Sequence, residues 1–269
     1  MIARACQTVF ACIVLVPCLA FGQDDAASSD DTSSNSTGVN ILIQALNATG
    51  ISDSVQTLTD FTATGRITYF WGGEEVSGPA TVRGRIGGQF RLDAALPNGT
   101  RSISVSRGAG LIKEPGGEVR PIPLHNAINM DTMTFPYLDF ATTIQDPRAV
   151  VTSLGAESLM ETPAQKVRIQ KTFPSDQDPD GTLANLCRRD YFFDSGSGLL
   201  LKTLDWTHPA ETLTEDYLHE MEYGNYATFQ GVRVPTLIRE KVIGQTTWEL
   251  QISNTTFNDA LTDMEFVIQ

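Results

Sequence analysis

From Phe61 onward, most of the chain alternates between apolar and polar residues, the pattern of a strand with one buried face. In 61–71, apolar or small side chains occupy every second position, and Thr and Arg fill most of the positions between them. Similar alternation marks 90–96, 102–106 and several runs between 148 and 258, and Gly- or Pro-containing turns separate these runs. Strands that are joined by tight turns and have one solvent-exposed face each predict an antiparallel meander.

Three segments lack this alternation. Residues 40–48 carry apolar side chains at helical spacing and predict a helix, and a further helical turn is predicted around 52–58. Residues 124–147 lack strict alternation and predict one or two short helices that cross the sheet. The pattern as a whole predicts a mainly β (α+β) fold. It would be a single, highly curved antiparallel sheet of about ten strands, an incomplete β-barrel with short helices over its concave face.

The residues before position 40 are predicted to lie outside this domain. Residues 1–22 combine a short apolar run with small residues before a polar one, which predicts a cleaved secretory signal and export. The alternative is a lipoprotein anchored through Cys18, for which Pro17 is a poor neighbour. Residues 23–39 hold four Asp among many Ser and Thr and predict a disordered acidic tether. Residues 40–269 are then one domain.

Composition narrows the range of functions. The chain has 32 acidic and 19 basic residues, a formal net charge of −13. Such a chain lacks the positive field that nucleic-acid binding requires, so we expect no nucleic-acid partner. Removal of residues 1–22 would leave Cys187 as the sole thiol, so the domain must be stabilised by its core. Cys187 itself is predicted to be an ordinary buried thiol rather than a nucleophile.

The sequence contains no motif of a known catalytic site, so we predict that the protein is not an enzyme. There is no Gly-x-Ser-x-Gly elbow, no His-Glu-x-x-His and no phosphate-binding loop of the Walker type. His208 and His219, with Asp205, Glu211 and Glu220 nearby, could form a metal site. An acidic hairpin with two ordinary histidines is the preferred interpretation.

One local pattern is typical of calcium loops. Asp176, Asp178 and Asp180 stand at alternate positions before Gly181, as in loops that wrap oxygen atoms around a calcium ion. The twelfth position, which should carry a bidentate Glu, is Cys187. We therefore prefer an Asp-rich turn and expect no cofactor, with calcium as the alternative.

Inward-facing apolar residues are the candidate ligand contacts. If the sheet curls, early and late strands direct one face each toward a common interior, with 124–147 as a movable cover. The concave face of such a sheet must be filled by a helix or by a ligand. The residues predicted to line a cleft there are Ile67, Tyr69, Trp71, Phe90, Leu92, Trp248 and Leu250.

The C-terminal third carries a series of short motifs. They are the hairpin 190–202, with its aromatic run, Ser-Gly turn and Leu-Leu-Leu-Lys, then Tyr-Gly-Asn-Tyr at 223–226, Gly-Val-Arg-Val-Pro at 231–235 and Phe-Asn at 257–258. In this order they resemble the end of exported proteins of the LolA/LolB lipoprotein-sorting superfamily. The resemblance implies an incomplete barrel whose helices cover an apolar concave side. Relatives carry lipoprotein acyl chains across the periplasm or sense envelope components. No functional residue of the family has a matching motif here.

Three hypotheses about function follow. The first is a periplasmic carrier that binds a hydrophobic ligand, an acyl chain or lipoprotein, in an apolar cleft without catalysis. The second is an envelope sensor or interaction module whose cleft binds a partner polypeptide. The third is a hydrolase assisted by calcium at 176–180. The identity of the ligand and the oligomeric state stay open at this point.

Overall fold

The computed structural model describes residues 35–51, 58–159 and 161–268. The predicted signal sequence, the alternative lipid anchor at Cys18 and positions 23–34 of the predicted tether lie outside the described residues. The predicted helical turn around 52–58 also lies outside them, except for its last residue.

Thirteen strands of the described residues form one antiparallel sheet. They are β1 Asp60–Trp71, β2 Glu74–Arg85, β3 Gln89–Leu96, β4 Gly99–Ser106, β5 Ala109–Lys113, β6 Val119–Ile122, β7 Ala149–Leu159, β8 Thr162–Lys171, β9 Arg189–Asp194, β10 Leu200–Thr207, β11 Tyr217–Phe229, β12 Val232–Val242 and β13 Gln245–Phe257. Their order is β6-β5-β4-β3-β2-β1-β13-β12-β11-β10-β9-β8-β7, so the first strand pairs with the last at the centre and the sheet stays open. This confirms the predicted mainly β, curved, incomplete barrel.

The sheet has more strands than the alternation predicts. The alternation of apolar and polar residues does not reveal β2, because Gly78 and Pro79 interrupt it. A Cβ at Gly78 would lie 1.9 Å from the carbonyl oxygen of Ala95, so the close approach of β3 requires glycine there. Strands β5 and β6 are short edge strands of five and four residues, which leave too few positions to show a period.

Four α-helices occur in the described residues: α1 Ser36–Ala48, α2 Leu124–Ala127, α3 Tyr137–Gln145 and α4 Thr182–Leu186. Helix α1 starts four residues before the predicted position 40, which corrects the predicted end of the tether. The reason is Asn35, whose side chain accepts a hydrogen bond from the backbone N–H of Gly38 at 2.7 Å and caps the helix. No helix of the described residues is long and apolar enough to span a membrane.

The core lies between the concave face of the sheet and the helices. Helix α1 buries four apolar side chains against the sheet: Ile41, Leu42, Ala45 and Leu46. Phe135, Tyr137 and Phe140, from the predicted cover, form an aromatic cluster with sheet residues. The ring of Phe140 lies 5.3 Å from Tyr191, and that of Phe135 lies 5.5 Å from Phe61. The predicted helical cover is therefore present and packed into the interior.

Candidate functional site

The predicted cleft residues share the concave face of the sheet. Because β1 pairs with β13, Ile67 lies opposite Leu250 and Tyr69 lies opposite Trp248. Six of the seven predicted residues are at most 3% exposed: Ile67, Tyr69, Phe90, Leu92, Trp248 and Leu250. Trp71, at the end of β1, is 38% exposed. The structure thus places six of these residues in the packed interior and the seventh at its rim.

A cavity of about 310 Å³ opens beside Trp71, and we call it the mouth. It lies between the sheet and the chain from Ile122 to Met133, which includes α2. Its apolar wall contains Tyr69, Trp71, Ile103, Ile112, Ile122, Pro123, Met130, Met133, Ala210 and Trp248, and its polar wall contains Arg101, Arg120, Asn126, Glu240 and Thr247. A second cavity of about 130 Å³ shares Asn126, Met130, Met133 and Glu240 with it. Concave apolar sites with a few polar groups are typical of small-molecule binding.

The rim of the mouth is a stack of three side chains. The rings of Tyr69 and Trp71 are stacked at 4.8 Å with an interplanar angle of 20°. The guanidinium of Arg101 lies 4.9 Å from the Tyr69 ring centroid and 5.7 Å from that of Trp71, within the range of cation–π attraction. Arg101 also donates a hydrogen bond to the Tyr69 hydroxyl at 3.1 Å. This part of the rim is therefore fixed in place.

The inner wall of the mouth is attached to the sheet mainly through buried polar groups. Arg189 Nη1 donates to the Thr132 hydroxyl at 2.8 Å, and its Nη2 donates to the carbonyl of Asn129 at 2.5 Å. The hydroxyl of Tyr223 donates to the carbonyl of Met133 at 2.8 Å. We call residues 124–147 the covering segment, and these contacts hold its first half.

A second attachment lies on α2. The side-chain amide of Asn126 donates to the carbonyl of His208 at 2.8 Å. Its oxygen accepts from the Thr207 hydroxyl and from the backbone N–H of His208, both at 2.9 Å. One side chain therefore fixes α2 to the end of β10.

Beneath the covering segment, four charged side chains from four strands form a buried cluster. Arg189 donates from Nε and Nη2 to one oxygen of Asp205 at 2.8 and 2.6 Å. His219 Nδ1 lies 2.5 Å from the other oxygen of Asp205, and its Nε2 lies 3.3 Å from Glu240. The Thr247 hydroxyl donates to the second oxygen of Glu240. Two positive and two negative groups thus face each other in a closed network.

Protonation follows from this geometry. Burial disfavours the charged imidazole of His219, but Asp205 and Glu240 outweigh it and raise its pKa to about 10. Burial likewise disfavours the Asp205 carboxylate, yet Arg189 and His219 hold its pKa below the usual value. His219 is then an imidazolium at neutral pH that donates from both nitrogens. Such a histidine cannot act as a general base.

The sequence analysis did not single out Arg189 or Glu240. Both stand at inward positions of their strands, Arg189 in phase with Tyr191 and Glu240 in phase with Ile238. A charged residue at an inward position must find a partner, because an unpaired buried charge is costly. This rule could have been applied to the sequence alone, and it would have pointed to Arg189 and Glu240 as members of a buried cluster.

The two metal sites considered from the sequence have other contacts. Both nitrogens of His219 face carboxylates, His208 Nδ1 lies 3.2 Å from the carbonyl of Glu215, and Glu220 pairs with Lys202. Glu211 is exposed in the loop before β11. Among the described residues, no group of three or more His, Cys, Asp or Glu side chains is arranged to hold a metal ion.

The Asp-rich turn caps a helix. The two oxygens of Asp178 accept the backbone N–H groups of Leu183 and Ala184, both at 2.9 Å, and Asp180 accepts that of Thr182 at 3.2 Å. These contacts occupy two of the three carboxylates considered for calcium, those of Asp178 and Asp180. Nearby, Cys187 is free and half-buried, and burial raises the pKa of its thiol.

Comparison with known proteins identifies the fold. No protein-family model matches the sequence, and no curated protein matches it. An outer membrane lipoprotein-sorting protein domain from Vibrio parahaemolyticus superposes with a TM-score of 0.53 at 10% identity, over 86% of this chain and 96% of that one. A LolA superfamily protein from Nitrosomonas europaea gives 0.53 at 11%, over 85% and 96%. The chain has the LolA-like fold.

A third solved structure agrees with this. A DUF1329 family protein from Desulfovibrio piger superposes with a TM-score of 0.50 at 14% identity, over 88% of this chain and 98% of that one. The LolA-like similarity therefore extends over nearly the whole described chain, beyond the C-terminal third in which the sequence resemblance was seen. At these identities it concerns the fold alone.

Proposed function

We propose that this protein is an exported carrier that holds a hydrophobic ligand, such as an acyl chain, without catalysis. The observation that carries the proposal is the mouth, an apolar cavity with a half-exposed Trp71 at its rim and a wall held by polar contacts. The LolA-like fold supports it, since one of the similar structures is named for lipoprotein sorting. The ligand would enter beside Trp71 and extend inward as the covering segment moves.

The energies permit such an exchange. Eight hydrogen bonds join the first half of the covering segment to the rest of the described chain. Each contributes about 1 kcal/mol net, because water replaces the lost partner. Each methylene that leaves water contributes about 0.8 kcal/mol. A chain that buries about ten methylenes therefore offsets these eight bonds, which is within the length of ordinary acyl chains.

The test is direct. The full chain is purified after export, extracted with organic solvent and examined by mass spectrometry for bound acyl species. The protein is also titrated with a fluorescent acyl probe, alone and as the Asn126→Ala variant, whose covering segment is less firmly attached. We expect saturable binding and faster association in the variant.

Absence of bound lipid, together with no probe uptake by either protein, would contradict the carrier function. A partner polypeptide would then be the better occupant of the cleft. His219→Gln is a suitable control in the probe titration, because it alters the buried cluster and removes none of the eight hydrogen bonds that hold the first half of the covering segment.

The proposal includes export, and the two alternatives for the N-terminus differ chemically. We expect the mature chain to begin at Gln23, because small residues precede it and Pro17 is a poor neighbour for a lipidated cysteine. N-terminal sequencing and intact mass measure this. An acylated Cys18 would show instead that the protein is anchored.

A further inference from the structure

Two guanidinium groups line one side of the mouth. Arg101 lies on β4 and Arg120 on the edge strand β6, and both belong to the cavity wall. The carboxylate of Glu114 joins them, accepting from Arg101 Nε at 3.1 Å and from Arg120 Nη2 at 3.2 Å. Glu114 is not among the described residues that line the cavity. The wall therefore presents both cations.

The two arginines differ in exposure. The Arg101 side chain is 14% exposed and is stacked on Tyr69 and Trp71, so its planar group is already oriented. The Arg120 side chain is 53% exposed and pairs with Glu114 through Nη2. One buried and one exposed guanidinium can together hold an anion, since each offers several N–H donors in one plane.

The remaining charge in the wall does not cancel them. Glu240, the acidic residue of the mouth lining, accepts from Thr247 and faces the imidazolium of His219. Two arginines that share one Glu114 leave an excess of one positive charge at the opening. In a chain of net charge −13, a positive opening attracts anions and directs them to this point.

An apolar row begins directly beside these cations. Ile103 on β4 lies opposite Ile112 on β5, and Ile112 lies opposite Arg120 on β6. Trp71 stacks under Arg101 on the neighbouring side. A ligand whose head contacts the arginines would thus place its chain on isoleucine and tryptophan side chains.

We infer that the mouth binds an anionic amphiphile, with its carboxylate or phosphate head between Arg101 and Arg120 and one apolar chain along Trp71, Ile103 and Ile112. This inference rests on the proposed function and specifies its ligand class. The cavity volume of about 310 Å³ is at the lower end of small-molecule sites, which suits one chain rather than several.

The experiment compares 11-(dansylamino)undecanoic acid with its methyl ester, which lacks the charge. We expect the acid to bind wild-type protein about tenfold more tightly than the ester. Arg120→Gln should weaken acid binding about tenfold, and Glu114→Gln, which frees both guanidiniums, should strengthen it several-fold. Ester binding should stay constant in both. Arg148→Gln, at an exposed arginine paired with Asp146 before β7, is the matched control and should change neither probe.

The outcomes separate the two proposals. Equal binding of acid and ester, or acid binding that is unchanged in both Arg120→Gln and Glu114→Gln, would overturn the inference that the ligand is anionic. The proposed carrier function would remain. Failure of wild-type protein to bind either probe would overturn the carrier function itself. Displacement of the bound acid by oleate or by oleoyl lysophosphatidate then distinguishes a carboxylate from a phosphate head. Displacement by neither compound would also overturn the inference.

Discussion

Arg189 and Asp205 form a buried ion pair that also holds the covering segment. Two nitrogens of the guanidinium donate to one carboxylate oxygen at 2.8 and 2.6 Å, and the side chains are 4% and 3% exposed. The same guanidinium donates to Thr132 and to the carbonyl of Asn129. The Arg189 guanidinium therefore both pairs with a buried carboxylate and holds the covering segment in place.

A comparison of Arg189→Met, which removes both roles, with Thr132→Val, which removes one contact to the covering segment, should separate them. Arg189→Met leaves Asp205 buried with only His219 beside it, and we expect the free energy of unfolding to fall by about 3–5 kcal/mol. Thr132→Val removes one hydrogen bond of the covering segment and should cost about 1 kcal/mol while the acyl probe associates faster. Urea unfolding and stopped-flow fluorescence measure these effects. An Arg189→Met protein as stable as wild type would show that the pair contributes nothing.

His219 should make stability depend on pH. Folding raises its pKa from 6.5 to about 10. The protonated form is therefore favoured in the folded state, and its contribution is complete below about pH 6.5 and lost as the pH rises through about 10. We expect the stability difference between wild type and His219→Gln to shrink over this interval, as measured by urea unfolding at each pH.

Asp139 also contributes to the pH dependence of stability. Burial and the neighbouring Asp131 raise its pKa from 3.8 to about 7, so its contribution changes below about pH 7, at the lower edge of the His219 interval. Because Asp139 is present in both proteins, the difference between them isolates His219. A difference that is constant from pH 6 to 10 would mean that His219 is not charged in the folded protein.

Trp71 and Trp248 should respond differently to truncation. Trp248 is 3% exposed, and Trp248→Ala should cost about 3–5 kcal/mol of stability. Trp71 is 38% exposed and stacks on Tyr69, so Trp71→Ala should cost about 1 kcal/mol and weaken binding of the acyl probe. Chemical unfolding and probe titration of both variants test this. If both variants lose the same stability and neither changes probe binding, the concave face of the sheet is an ordinary hydrophobic core and not a ligand site.

Asp178 should act as a helix cap rather than a calcium ligand. Its two oxygens accept the N–H groups of Leu183 and Ala184, so Asp178→Ala should cost about 1 kcal/mol. A chelator should leave the melting temperature of wild-type protein unchanged, and Asp176→Ala should melt close to wild type, because its carboxylate is farther from the helix in sequence. A drop of many degrees on chelation would contradict this assignment and favour calcium at 176–180.

The sequence by itself determined the class of the fold and the inward face of each long strand, because a pleated strand alternates its side chains whatever its neighbours are. Tyr69 and Leu250 could be assigned to the interior on that ground alone, and so could the helical character of 124–147. Helix and turn signals are also short-range, and they predicted the start of α1 to within four residues of its position in the structure. Alternation is a local property, and these features depend on it.

Only the tertiary structure decided which strands meet. The pairing of β1 with β13 joins residues almost 200 positions apart, and it determines that Tyr69 lies opposite Trp248. The same holds for Arg189, Asp205, His219 and Glu240, which come together because four strands lie side by side. Trp71 has the phase of Tyr69 but is the last residue of its strand, and it is 38% exposed at the rim of the mouth. Its exposure, and with it the mouth, follows from where the packing stops, which no local pattern encodes.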